Sequence, residues 1–397
     1  MMARTAMRKL GAIAIVAMTL PLVASPSLAS YRITTTTMAR AAPASTTTWW
    51  LDSTWVSAQM GWVLGEGQPG CPSCVVIKHT DGGGITWSAL PVPIGRPRNL
   101  ASYSYGCLVH GCVSQIVFAN PEDGYLFGPD LYVTTDGGRT WHRQAGRPTL
   151  ALVRVAPGMV WRLTYTHGGC PGPCGLSLLQ QRAGASTWTT VRSPFDGIDI
   201  GVTPQLVSTD SARVIVAIYG NIAGGVMSHA AFYITTNLGR SWSIRADPCG
   251  GTFRTEKDAV STSAAGPNLV VVECMAKGDS NTGFVMVSHD GGKSFGPRRP
   301  IPPSLFGAMV AAASASTIVL ASGNINGGGA FTYLVETSTN DGMTWRTVVR
   351  DPENLTGSAA GGSYLAFISP TVGHWIGYGN RLWTTTDGGE HWTASSV

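Results

Sequence analysis

The sequence predicts an all-β fold, a single seven-bladed β-propeller of four-stranded antiparallel blades spanning residues 48–397. Three observations carry this expectation. A short turn recurs seven times at a period near fifty residues, and each unit repeats one order of short apolar runs. Gly numbers 50 while charged residues are only 12%, a balance suited to many turns and few helices. No long stretch shows the 3.6-residue apolar periodicity of a helix.

The chain opens as an export signal. Arg4, Arg8 and Lys9 precede a nearly all-apolar run from Leu10 to Val23, and "SLA" ending at Ala29 offers small residues for cleavage. That is the order of a secretory signal over residues 1–29. The apolar run is about half the ~20 residues of a membrane span and is broken by Pro21, so membrane association is expected only if the signal stays uncleaved. Residues 30–47, rich in Thr, Ala and Ser, read as a flexible linker. Without residues 1–29 the balance is 24 Lys+Arg against 22 Asp+Glu, too even to point to nucleic acid.

The repeats follow. Aromatic anchors fall at Trp87, Trp141, Trp188, Trp242, Phe295, Trp345 and Trp392, spaced by 54, 47, 54, 53, 50 and 47 residues. Such a period over almost the whole mature chain marks one repeat architecture. In each unit a first strand ends in a turn such as "NPEDG" or "SPTVG", and a second strand such as "GYLFG" follows. A third runs into the recurrent turn ("LYVTTDGG", "AFYITTNLG"), and a fourth leaves the aromatic anchor. Small sheets of this kind bury both faces only when packed face to face in a ring. The last repeat supplies four strands itself, so closure needs no strand borrowed from the N-terminus.

The recurrent turn reads as a staple. Its members are Asp136, Gly138 and Trp141; Asn237, Gly239 and Trp242; Asp290, Gly292 and Phe295; Asn340, Gly342 and Trp345; and Asp387, Gly389 and Trp392. In the first unit, "HTDGGGITW", Asp81 is read as the aspartate with one extra Gly before Trp87, and in the third Arg182 replaces the aspartate before Trp188. An Asp oxygen accepts bonds from backbone N–H groups just ahead, Gly supplies a left-handed conformation, and the aromatic ring buries apolar area. Asn237 and Asn340 keep the acceptor and lose the charge, which suits hydrogen bonding and not acid catalysis.

This pattern, Ser/Thr-x-Asp-x-Gly-x-Thr-Trp, resembles the Asp box, or bacterial neuraminidase repeat, of the sialidase-like superfamily. The superfamily includes sialidases, sortilin-type receptors, cellulase-like propellers and photosystem II assembly factors. The paired "DGG-x-TW" after a "G-[WY]-x-x-G" strand looks most like the assembly-factor type. The resemblance implies the fold and leaves the activity open, because one fold hosts many functions.

Strand order assigns the loops to two faces. The turns between first and second strands share one face with the recurrent turns. The opposite face receives the second-to-third hairpins and the connections between blades, including "GEGQPGCPSC", "THGGCPGPCG" and "RADPCGGTFRTEKD". All eight cysteines fall on it: Cys71, Cys74, Cys107, Cys112, Cys170, Cys174, Cys249 and Cys274. In an exported chain these point to disulfides, and Cys249 and Cys274 should lie near each other. A zinc site from the first four fits by count, but export and the lack of a His pattern oppose it. A redox role for "CPSC" lacks the helix N-terminus that acidifies such a thiol. No metal or other cofactor is expected.

Arginines crowd the same loops: Arg96, Arg98, Arg147, Arg245, Arg254, Arg298, Arg299 and Arg350, with Lys257. Tyr103, Tyr105, Phe253 and Phe306 interleave with them, as in a recognition surface. In the assembly-factor family an arginine-rich patch on a propeller face is associated with client binding. An enzyme of the sialidase type would use three arginines, a Tyr nucleophile with a Glu partner and an Asp acid, but the family's Arg-Ile-Pro signature is absent. Other glycosidases need two carboxylates across a cleft. Glu273, ending a strand on the loop-rich face, is the best placed, with Glu256 or Asp258 as its partner. The expectation is therefore an exported, monomeric, non-catalytic interaction module whose partner is an envelope or extracellular protein, or a glycan. A sialidase-like hydrolase of anionic glycans, or a carbohydrate-binding propeller, is the alternative.

Overall fold

The computed structural model describes residues 48–68, 71–93, 113–128, 130–166, 175–196, 204–208, 213–218, 231–246, 248–249, 257–276, 283–302, 306–326, 330–351, 364–377 and 381–397. The signal at residues 1–29 and the linker at residues 30–47 lie outside this set.

The strands build seven sheets, each of four strands in sequential order. Every pairing within them is antiparallel, as in blade one, where Gly61–Gln68 pairs with Trp49–Trp55 and with Cys71–Thr80. Blade seven consists of Tyr364–Phe367, Gly373–Ile376, Arg381–Thr385 and Thr393–Ser396, all its own. The fold is thus a seven-bladed propeller, and among the described residues there is no helix.

Each seam between blades has its own apolar cluster. Leu64 and Ile77 of blade one meet Ile116, Phe118 and Leu126 of blade two, and the next seam joins Tyr125 and Phe127 to Leu152 and Val160. Trp161 and Leu163 then meet Val214 and Val216, Phe232 meets Val270 and Val272, and Val271 and Val285 meet Ile318 and Leu320. Val319 and Val335 meet Trp375, and Ile376 and Leu382 of blade seven close on Trp50 and Trp55 of blade one. Burying each such side chain contributes roughly 1.5–3 kcal/mol.

The free edges of the first strands are also satisfied across seams. Asp52 Oδ2 accepts from Ile116 N at 2.8 Å and Thr54 Oγ1 from Phe118 N at 3.1 Å. Ser261 and Ser263 repeat this in blade five, accepting from Val310 N and Ala312 N at 3.2 and 3.0 Å. In both strands a bulge just before the first acceptor sets the alternation that aims the pair at the next blade.

The recurrent turns cap the opposite ends of the third strands. In blade two, Thr134 Oγ1 accepts from Gly138 N at 2.9 Å, while Asp136 Oδ1 accepts from Thr140 N at 2.8 Å. Gly137 N donates to Glu122 O at 2.9 Å, joining the box to the turn between the first and second strands. Blade one differs from the expected register. Thr80 Oγ1 accepts from Gly82 N and Gly84 N, both at 3.1 Å, so Thr80 stands where Thr134 does and Gly82 occupies the aspartate slot. Asp81 falls one position early, and the unit has no extra residue. In blade three Ala185 N donates to Arg182 O in a simple turn.

The anchors tie neighbouring blades together. Trp188 Nε1 donates to Gln144 Oε1 at 2.8 Å, Trp242 Nε1 to Arg192 O and Trp345 Nε1 to Pro300 O, both at 3.1 Å. In each case the acceptor belongs to the preceding blade.

Candidate functional site

The loop-rich face is best defined where blade four hands over to blade five. Cys249, beyond the last strand of blade four (Ser243–Ala246), is disulfide-bonded to Cys274 of Leu269–Ala276. Both are fully buried and pack with Phe284 and Phe232. Alternation along Leu269–Ala276 aims Cys274 with Val270 and Val272 at blade four and leaves Val271 and Glu273 facing blade six.

Arg298 lies over this corner. Its guanidinium sits 4.8 Å above the Phe284 ring, and Nη2 reaches Cys249 O at 3.5 Å. Such a stack orients a cation without neutralising it. Arg245 lies opposite Phe232 in its sheet and donates through Nη1 to Ile244 O at 3.1 Å. Arg299 pairs opposite Val285.

Arg147 lies in the connection from blade two to blade three. Its Nη1 contacts Tyr165 O at 3.5 Å, its own carbonyl accepts from Arg162 Nη2, and Thr164 Oγ1 donates to the next carbonyl, Pro148 O. Arg162 is buried, lies 5.5 Å over the Trp188 ring, and is pulled down to about 10 by desolvation. A buried arginine thus holds the loop that presents an exposed one.

The carboxylates of this face are withdrawn. Glu273 is fully buried, neither oxygen has a hydrogen-bond partner, and burial pushes it up to about 8. Glu336, two residues before the box serine Ser338 and so at the opposite end of its strand, is also buried and raised by desolvation, with Thr347 and the Arg350 charge acting in the opposite direction; Thr347 Oγ1 donates to its Oε1 at 2.7 Å. Glu66 is buried as well. A carboxyl group that no solvent reaches cannot protonate a leaving group or activate water, so Glu273 has no access to substrate. Among the described residues no set of three His, Cys, Asp or Glu converges for a metal.

Several sequence candidates lie outside the described residues: Arg96, Arg98, Tyr103, Tyr105, Arg254, Glu256, Cys107, Cys112, Cys170 and Cys174. Cys71, Lys257 and Asp258 are placed in strands, with side chains outside the described set. Cys74 is disulfide-bonded. Sequence reasoning missed Arg162, whose only signal was a cation within the otherwise apolar "MVWRLTY".

Asp136 and Asp387 are held at about 2, and their environments show why these groups serve the fold. For Asp136 the Thr140 hydroxyl is the main cause; for Asp387 burial acts upward and is outweighed by bonds from His391 and Thr385. Oxygens occupied in this way are acceptors already in use.

The comparisons agree with this architecture. The BNR/Asp-box repeat model matches residues 132–143. A search of the curated proteins gives no significant match. Among solved structures, one described as "YCF48 bound to D1 peptide" is 14% identical, with a TM-score of 0.55 over 86% of this chain and 94% of that one. YCF48 from Cyanidioschyzon merolae is 15% identical, with a TM-score of 0.50 over the same shares. A GH74 enzyme of Niastella koreensis is 12% identical at 0.49, over 88% of this chain and 65% of that one. At such identities the likeness to the two YCF48 structures speaks for the fold alone. The chain is a seven-bladed propeller that carries a BNR/Asp-box repeat match at residues 132–143 and is similar in fold to the YCF48 structures.

Proposed function

We propose that the protein is an exported, non-catalytic interaction module that holds a segment of an envelope or extracellular protein against its loop-rich face. The observation that carries this reading is the opposite treatment of the two charge types there. Arg147, Arg298 and Arg350 are exposed, and the first two rest on carbonyls or a ring, whereas Glu66 and Glu273 are buried. Exposed, pre-oriented arginines suit recognition of a carboxylate-bearing segment. The similar fold of a YCF48 structure with a bound peptide supports a protein partner. Export rests on the leader at residues 1–29.

The test is recovery of a partner by crosslinking to the mature chain, with Arg298→Ala and Arg350→Ala each weakening capture at least tenfold. A sialoside and polysaccharide panel runs alongside. Turnover on that panel, or capture unaffected by both substitutions, would refute the reading.

A further inference from the structure

Six of the seven seams are crossed by the chain, because each fourth strand leads into the next first strand. The seam between blades seven and one is not, and no strand is shared across it. Among the described residues an apolar cluster joins the two blades there, with Trp50, Trp55 and Val63 against Ile376 and Leu382.

At this seam the imidazole of His374 stacks on the indole of Trp55, with centroids 3.6 Å apart and planes 7° from parallel. Blade one shows the apolar version of the same contact: Trp62 stacks on Phe118 at 3.7 Å, and its Nε1 donates to Gly137 O of the next box. The slots correspond by register. Trp62 pairs with His79, the residue before Thr80, and His374 pairs with Thr384, the residue before Thr385. Blade two places Tyr125 there, opposite Val133. Blade seven therefore carries a basic ring in a position that holds Trp62, Tyr125 and Trp161 in blades one to three and Ile215, Val271 and Val319 in blades four to six. His374 is fully buried; Nδ1 lies 3.2 Å from Thr384 Oγ1, and Nε2 has no partner.

We propose that the seam between blades seven and one is an acid-sensitive opening in the ring, triggered at the His374–Trp55 stack. Protonation would put a charge between two blades with no counter-ion among the described residues, and the described strands of blades seven and one are not consecutive along the chain, so no loop between them is stretched when the seam parts. Burial is the single influence on the imidazole and pulls it down to about 3. A histidine depressed in this way contributes its full stability above 6.5 and loses it as the pH falls toward 3, so each unit below 6.5 favours the parted seam by up to about tenfold.

Among the described residues the other titratable groups near the seam are Tyr364 and Lys78, with Asp52 close enough to act on Tyr364 although its carboxylate bonds to blade two. Asp52 is raised to about 7 by burial, despite bonds from Ile116 N and Ser53 N, and it raises Tyr364 further beyond the effect of burial. Its neutralisation on acidification favours closure and opposes the histidine. Lys78 lies 5.5 Å over the Trp50 ring. Thr384 and Trp55, the nearest groups to the imidazole, carry no charge.

Hydrogen exchange of the full chain at pH 7 and pH 4.5, corrected for intrinsic rates, tests this. Protection should fall at least tenfold in Trp49–Trp55 and Gly373–Ile376 at the lower pH while Leu269–Ala276 keeps its own. His374→Phe should abolish the loss, and His374→Gln serves the same purpose if the first variant does not fold. Asp52→Asn, which removes the opposing titration, should leave the loss at least as large. Unchanged protection, equal loss in every blade, or the same loss in the His374 variants would overturn the proposal.

Discussion

Within a single box, two residues separate geometry from charge. Asp136 accepts from Thr140 N at 2.8 Å and from the Thr140 hydroxyl at 2.6 Å. Asn237 accepts from Ser241 N at 2.9 Å and donates through Nδ2 to the Ser241 hydroxyl at 2.8 Å. Only the direction of the second bond is reversed. Asp136→Asn should therefore cost less than about 1 kcal/mol, and Asp136→Ala about 1–3 kcal/mol, as read by urea denaturation. The box glycines are less tolerant. Gly239 has φ +78°, and a Cβ there would lie 2.5 Å from Val191 Cγ1 of the preceding blade. Gly239→Ala should cost about 1–3 kcal/mol by overpacking. Leu238 and Asp341 occupy the left-handed region beside such glycines, at φ 54° and 60°. In the other boxes Gly137, Gly291 and Gly388 hold that position.

At the level of the strand, alternate polar residues carry the joints between blades. Asp52 with Thr54, and Ser261 with Ser263, stand two apart on first strands, which is the spacing needed to point both at one neighbour. The disulfide works on the same scale. It closes a separation of 25 residues and supplies the carbonyl under Arg298. Replacing Cys249 and Cys274 together by Ala should lower stability by about 3 kcal/mol, measurable by thermal denaturation under oxidising conditions. Partner capture should fall with it, because Arg298 loses its rest.

For the whole ring, burial of acidic groups sets the response to pH. Glu273 and Asp52 are raised to about 8 and about 7 by desolvation. Groups raised in this way contribute stability that is complete below their ordinary values and is lost as the pH rises through the raised ones. These two gains outweigh the loss from His374 below 6.5, so the melting temperature should increase from pH 8 toward pH 5. Below about 3.8 the box aspartates reverse the trend, since depressed carboxylates lose their contribution as the pH falls. Register places Glu273 three residues beyond Val270, which pairs with Ser288, as Leu64 and Phe127 stand three beyond Gly61 and Gly124. Glu273→Leu should raise the melting temperature at pH 8 and flatten its slope toward pH 5; a slope left unchanged would show that Glu273 is not its source.

The sequence by itself determined the blade number, the four-strand order, the two faces and the staples, because each depends on a local pattern repeated seven times. It also brought Cys249 and Cys274 to one corner, since strand order fixes which ends are neighbours. Tertiary structure alone decided the rest. The register of the first box moved from Asp81 to Gly82, because only the bonds to Thr80 Oγ1 identify the slot. The burial of Glu273, the support of Arg147 by Arg162 and the stacking of His374 on Trp55 all depend on which faces meet across a seam. Those contacts join residues remote along the chain, and no local spacing encodes them.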